Sequence, residues 1–134
     1  MTTQSQQMSV PPDWEGSIPE YMVYRSLIDR QGKQPGIDFT FQSALLGGRL
    51  DKGGVVIDFL FTDPPDLAIN VQGEYYHYGL GATYIQNDII IRGQMAGQGI
   101  NLIFIDENDV LEDVDYYVRE ALNYKDHSKL GGGR

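Results

Sequence analysis

At 134 residues the chain has the length of one domain. It has no cysteine, which excludes disulfides and thiol nucleophiles, and with only His77 and His127 it offers no structural zinc site. A formal net charge of −9 argues against a broad DNA-binding surface, because phosphate neutralisation by Lys and Arg supplies most non-specific affinity for DNA.

Residues 1–16 are polar, contain Pro11 and Pro12 and show no periodicity, so they read as a flexible N-terminal arm. The opening MTTQSQQMSVPPDWEG lacks the basic and apolar regions of a signal peptide. No apolar run approaches the ~20 residues of a membrane span. The expectation is a cytoplasmic protein, or one within a virion assembled in a cell, with no membrane partner.

A first helix should begin near Ser17, because Ser17-Ile18-Pro19-Glu20 has the spacing of a capping box with a proline in the first turn. Tyr21, Tyr24, Leu27 and Ile28 give it one apolar face, and Gly32 with Gln34-Pro35-Gly36 ends it. Phe39–Gln42 alternates as a short strand. Val55–Phe61 is β-branched and aromatic, a strand. The turn Asp63-Pro64-Pro65-Asp66 joins it to Leu67–Gln72, which predicts a hairpin. A tyrosine-rich loop from Gly73 to Gly81 precedes a helix over 82–96, with Ile85, Ile89 and Met95 expected inward. Asn101–Ile105 reads as a buried strand. Val114, Tyr117, Val118, Ala121 and Leu122 mark a last amphipathic helix.

The order α-β-β-β-α-β-α contains a β-α-β crossover, so the fold class expected is α/β, a mixed sheet of about four strands flanked by helices. The domain should span 17–124, with 125–134 as a flexible tail ending in Gly131-Gly132-Gly133-Arg134.

One constellation carries chemistry. Asp58 is an acid in an apolar strand, and burial of a carboxylate is costly unless it is paired or bound to a cation. Asn70 and Gln72 share one face of the next strand and can converge with Asp58 across the hairpin. His77 follows just past that strand.

The run Asp58-Phe59-Leu60-Phe61, then Leu67-Ala68-Ile69-Asn70-Val71-Gln72-Gly73-Glu74-Tyr75-Tyr76-His77, resembles the very-short-patch-repair endonucleases and their small relatives in the PD-(D/E)XK nuclease superfamily. Those carry an Asp on one strand and then an apolar strand ending in a V-D-G-x-x-W-H type signature. Asn87-Asp88, Arg92 and the stretch from Gly97 to Ile105 match the family's following helix and strand loosely. The resemblance covers residues 17–108. It implies a restriction-endonuclease-like three-layer core and Mg²⁺-dependent hydrolysis of a DNA phosphodiester, with Mn²⁺ as an expected substitute. Asp58 would hold the metal with Asn70 or the backbone carbonyl of Val71. His77 would act as general base or stabilise the scissile phosphate, Glu20 would orient water or metal, and Gln72 stands at a catalytic position. In the wider superfamily the positions of Asn70 and Gln72 carry an acid and a lysine; both are neutral amides here, and Glu74 shares their parity.

Structural readings stand beside these. Glu20 suits a capping box, Asp58 could pair with Arg92 or Arg49, and His77 could pack among tyrosines. The six acids between Asp106 and Asp115 read as a solvated approach to the last helix. The alternative function is a catalytically inactive nuclease fold serving as a structural or interaction component of a viral particle or other assembly. Its protein partners would dock through the N-terminal arm and the Tyr75, Tyr76 and Tyr78 loop, tyrosine being enriched at interfaces. An acidic DNA mimic rests on charge alone.

Overall fold

The computed structural model describes residues 10–45, 55–73 and 82–130, the side chains of 43–45, 55, 56 and 82–87 excepted. Helix α1 (Ile18–Asp29) opens with both halves of the capping box. Ser17 Oγ accepts the Glu20 N–H at 3.1 Å, and Glu20 Oε1 accepts the Ser17 N–H at 2.8 Å. The helix closes at Gly32, whose φ of +70° suits a residue without Cβ, and Lys33 N–H donates back to the Leu27 carbonyl.

Strands β1 (Phe39–Leu45), β2 (Val55–Phe61), β3 (Leu67–Gln72) and β4 (Asn101–Asp106) form one sheet in that order. The β1–β2 and β2–β3 pairs are antiparallel. Helix α2 (Ala82–Gly97) makes the crossover, so β4 runs parallel to β3 from Leu67 opposite Asn101 to Gln72 opposite Asp106. Helix α3 (Glu107–Leu122) follows directly. The expected order of elements and the mixed α/β sheet are thus borne out.

Alternation along the strands gives the sheet two apolar faces. On one, Phe39, Phe59, Phe61, Leu67, Ile69, Ile103 and Ile105 meet Val23 and Leu27 of α1 and Val110, Val118 and Ala121 of α3. On the other, Ile57, Ala68, Leu102 and Phe104 of the sheet join Met95 of α2. Each fully buried Val, Leu, Ile, Phe or Met side chain among these stabilises the fold by about 1.5–3 kcal/mol. Helices on both faces make three layers.

Helix α2 sits differently from its expected rotation. Met95 is buried, but Ile89 is 45% exposed and Asp88 takes an inward position. A polar partner on β3 decides this, as shown below. Helix α3 starts earlier than its apolar pattern indicates and breaks at Asp113 (φ −161°, ψ 78°). Asp113 Oδ1 accepts the Tyr116 N–H at 3.2 Å and so caps the longer second segment.

Both expected ends hold packed residues. Trp14, placed in the arm by sequence, stacks on Phe41 with ring centroids 4.3 Å apart, and its indole N–H donates to the Ser17 carbonyl. Asp126 and Ser128, placed in the tail, are buried. Asp126 Oδ2 accepts the Phe104 N–H at 3.0 Å, and Asp106 Oδ2 accepts the Lys129 N–H at 2.9 Å. The segment covers the outer edge of β4, which would otherwise present unpaired amides. Among the described residues, no helix is long and apolar enough to cross a membrane.

Candidate functional site

The hairpin ladder between β2 and β3 runs only from Phe61 opposite Leu67 to Phe59 opposite Ile69. Beyond it the strands part: β2 stays with β1, and β3 continues with β4 as far as Gln72 and Asp106. Asp58 and Asn70 stand at the point of divergence. Asn70 Oδ1 accepts the Asp58 N–H at 2.8 Å, and Asp58 Oδ2 accepts the Val71 N–H at 2.9 Å. Side chains therefore take the role that carbonyls play along the ladder. The backbone is irregular on the β1 side as well. Gln42, between the paired Phe41 and Ser43 and across from Asp58, has φ of +58°. Ile57 and Phe59, two residues apart, belong to cores on opposite faces. This local twist is what brings a carboxylate between the two strands.

A strand residue directs its N–H and its C=O to the same neighbour, as the paired exchange in antiparallel ladders requires. Since the Val71 N–H meets Asp58, the Val71 carbonyl faces the same gap. The gap thus gathers an Asp58 carboxylate, the Asn70 amide oxygen and a backbone carbonyl, all hard oxygen donors of the kind Mg²⁺ takes. An ionised carboxylate has about four lone-pair positions on two oxygens, and the Val71 N–H takes one on Oδ2. Among the described residues, no three acids or histidines cluster as a metal-binding group.

Gln72 is 2% exposed, and its Nε2 donates to Asp88 Oδ2 at 2.7 Å. That bond turns Asp88 inward and fixes the rotation of α2. It also commits the Gln72 amide to a structural partner. Asp106 lies beside Gln72 in the β3–β4 register and is buried. Asp106 departs from the expected solvated run, as does Asp115, half-buried, which accepts the Ser26 hydroxyl at 2.7 Å. Glu20 is engaged in the capping box. His77, Glu74, Arg49 and the tyrosines 75, 76 and 78 lie outside the described residues. Arg92 rests over the Phe104 ring, its guanidinium carbon 5.7 Å from the centroid.

Of the residues singled out by sequence, Asp58 and Asn70 are brought together and Gln72 is bound to Asp88, whereas the burial of Asp88 and Asp106 was not anticipated. A signal for Asp88 was present: an inward acid on α2 is the natural acceptor for a buried amide on the adjoining strand. For Asp106, position at the end of an apolar strand was the only hint. Comparison with protein-family models, with curated proteins and with solved structures gave no match in any of the three.

Proposed function

We propose that the chain is a metal-dependent endonuclease-like domain that hydrolyses DNA phosphodiesters, Asp58 and the Val71 carbonyl holding one Mg²⁺ at the parting of β2 and β3. The observation that carries this reading is the 2.9 Å bond from the Val71 N–H to Asp58 Oδ2, which brings the Asp58 carboxylate against the Val71 backbone. When bound, the ion would lower the pKa of a coordinated water and offset charge developing on phosphate. Asn70 anchors the Asp58 backbone, a positioning role that needs an acceptor oxygen and not a charge. Gln72 is bound to Asp88 and holds α2 on the sheet. His77 remains the residue proposed to move the proton.

A second reading has its own support. The two positions where the superfamily carries an acid and a lysine hold amides, and both amides are engaged within the protein, Asn70 with Asp58 and Gln72 with Asp88. Under that reading the nuclease-like fold serves as an interaction component of an assembly. The two readings separate on supercoiled, mismatched and branched DNA incubated with Mg²⁺ or Mn²⁺. Cleavage that is lost in Asp58→Ala supports the nuclease; intact DNA with the wild-type protein and either ion supports the interaction component.

A further inference from the structure

A cleft of about 430 Å³ opens between α2, β4 and the segment around Tyr124 and Asp126, within the roughly 300–1,000 Å³ range of small-molecule sites. It shares no lining residue with the gap at Asp58. Its walls include Ile89, Ala96, Ile100 and Leu102, with the partly exposed ring of Tyr124 at one side. Most of its polar side chains are already satisfied. The Tyr124 hydroxyl donates to the Pro65 carbonyl at 2.6 Å, and Asn101 Nδ2 donates to the Asp66 carbonyl at 3.1 Å. Asp126 accepts from the Phe104 and Ser128 amides.

Arg92 is different. Its Nη1 is sealed from water with no hydrogen-bond partner. The Phe104 ring beneath the guanidinium attracts the charge but offers no lone pair. A buried charged donor without an acceptor costs stability that a ligand oxygen would return.

We propose that this cleft binds a small monoanionic carboxylate with an apolar body, the Arg92 guanidinium taking the carboxylate. Rotation about the last torsions of Arg92 exchanges a position without an acceptor for a two-oxygen partner matched to its planar fork. The apolar body lies against Ile89, Ala96, Ile100 and Tyr124. Asp126 in the same lining disfavours a doubly charged head. Ile89, turned outward by the inward placing of Asp88, gains a role as one wall.

Octanoate and 1-octanol, titrated into the full chain by calorimetry, test this directly. The wild type binds octanoate at least about tenfold more tightly than octanol. Arg92→Met abolishes that preference and leaves octanol affinity unchanged. Ala96→Trp fills the cleft and removes both. Gly93→Leu is the second blocking variant, because a Cβ at Gly93 meets no atom within 4 Å and the side chain grows into open space. Thermal unfolding of each variant verifies that it is folded. No saturable binding by the wild type, equal affinity for acid and alcohol, or a preference that survives Arg92→Met overturns the proposal.

Discussion

Asp58 and Asn70 clasp each other's strands: Asn70 Oδ1 accepts the Asp58 N–H at 2.8 Å, while Asp58 Oδ2 accepts the N–H of the residue following Asn70 at 2.9 Å. The exchange closes the hairpin where its ladder ends and holds a carboxylate at the mouth of the gap. It also explains why an amide is sufficient at Asn70 for the fold.

Asn70→Ala should cost about 1–3 kcal/mol, the penalty of a half-buried amide left without its acceptor. Asn70→Asp keeps an acceptor oxygen and adds a charge beside Asp58. It should lower stability without metal, through like-charge repulsion, and tighten Mn²⁺ binding. Urea denaturation with and without Mn²⁺ measures both effects; a variant destabilised equally in the two conditions would remove Asn70 from the metal's surroundings.

The bond between Gln72 and Asp88 should dominate the docking of α2 on the sheet. Gln72→Leu leaves a buried carboxylate short of a donor and should cost about 1–3 kcal/mol. In a double-mutant cycle with Asp88→Ala the pair should be non-additive by about 0.5–3 kcal/mol, as expected of residues in direct contact. Additive losses would mean that the two side chains act independently.

Much of this fold follows from local pattern. Val55–Phe61 and Leu67–Gln72 are strands because β-branched and aromatic residues alternate between turn residues, and the Ser17–Glu20 box declares its helix within four positions. Polar burial is another matter. Ile89 and Asp88 exchange expected places on α2 because Gln72, 16 residues earlier, supplies a donor that no helical periodicity records. Asp126 and Ser128 resemble a solvated tail by composition, and only the open edge of β4 gives their oxygens and amides something to satisfy. The parting of β2 and β3 at Asp58 depends on the extent of pairing along two strands, which alternation alone does not encode.

Asp126 is the test of that edge cover. Its carboxylate holds the Phe104 amide and, at 2.8 Å, the Ser128 amide. Asp126→Ala should cost about 2–4 kcal/mol by stranding these buried donors. Hydrogen exchange at Phe104 should accelerate selectively, whereas exchange at Phe59, on a central strand, should follow global stability alone.

Acid should loosen the same region. His127 Nε2 lies 2.9 Å from Glu120 Oε1, and this hydrogen bond, aided by nearby Lys125 and Arg119, lowers the Glu120 pKa from its ordinary value of 4.5. A depressed carboxylate contributes stability that is fully present above the unfolded value and is lost as pH falls through the folded one. Thermal melts from about pH 6 to about pH 3 should therefore show a smaller decline in Glu120→Gln than in the wild type. Parallel declines would mean that the pair adds nothing to stability.

The central claim is that the parting of β2 and β3 is a metal site with Asp58 as its carboxylate. Calorimetric titration of Mn²⁺ into the wild type and Asp58→Ala tests it without any choice of DNA substrate. Saturable binding in the wild type that disappears in a folded Asp58→Ala variant is the predicted result; no binding to the wild type, or binding that persists without Asp58, would contradict it.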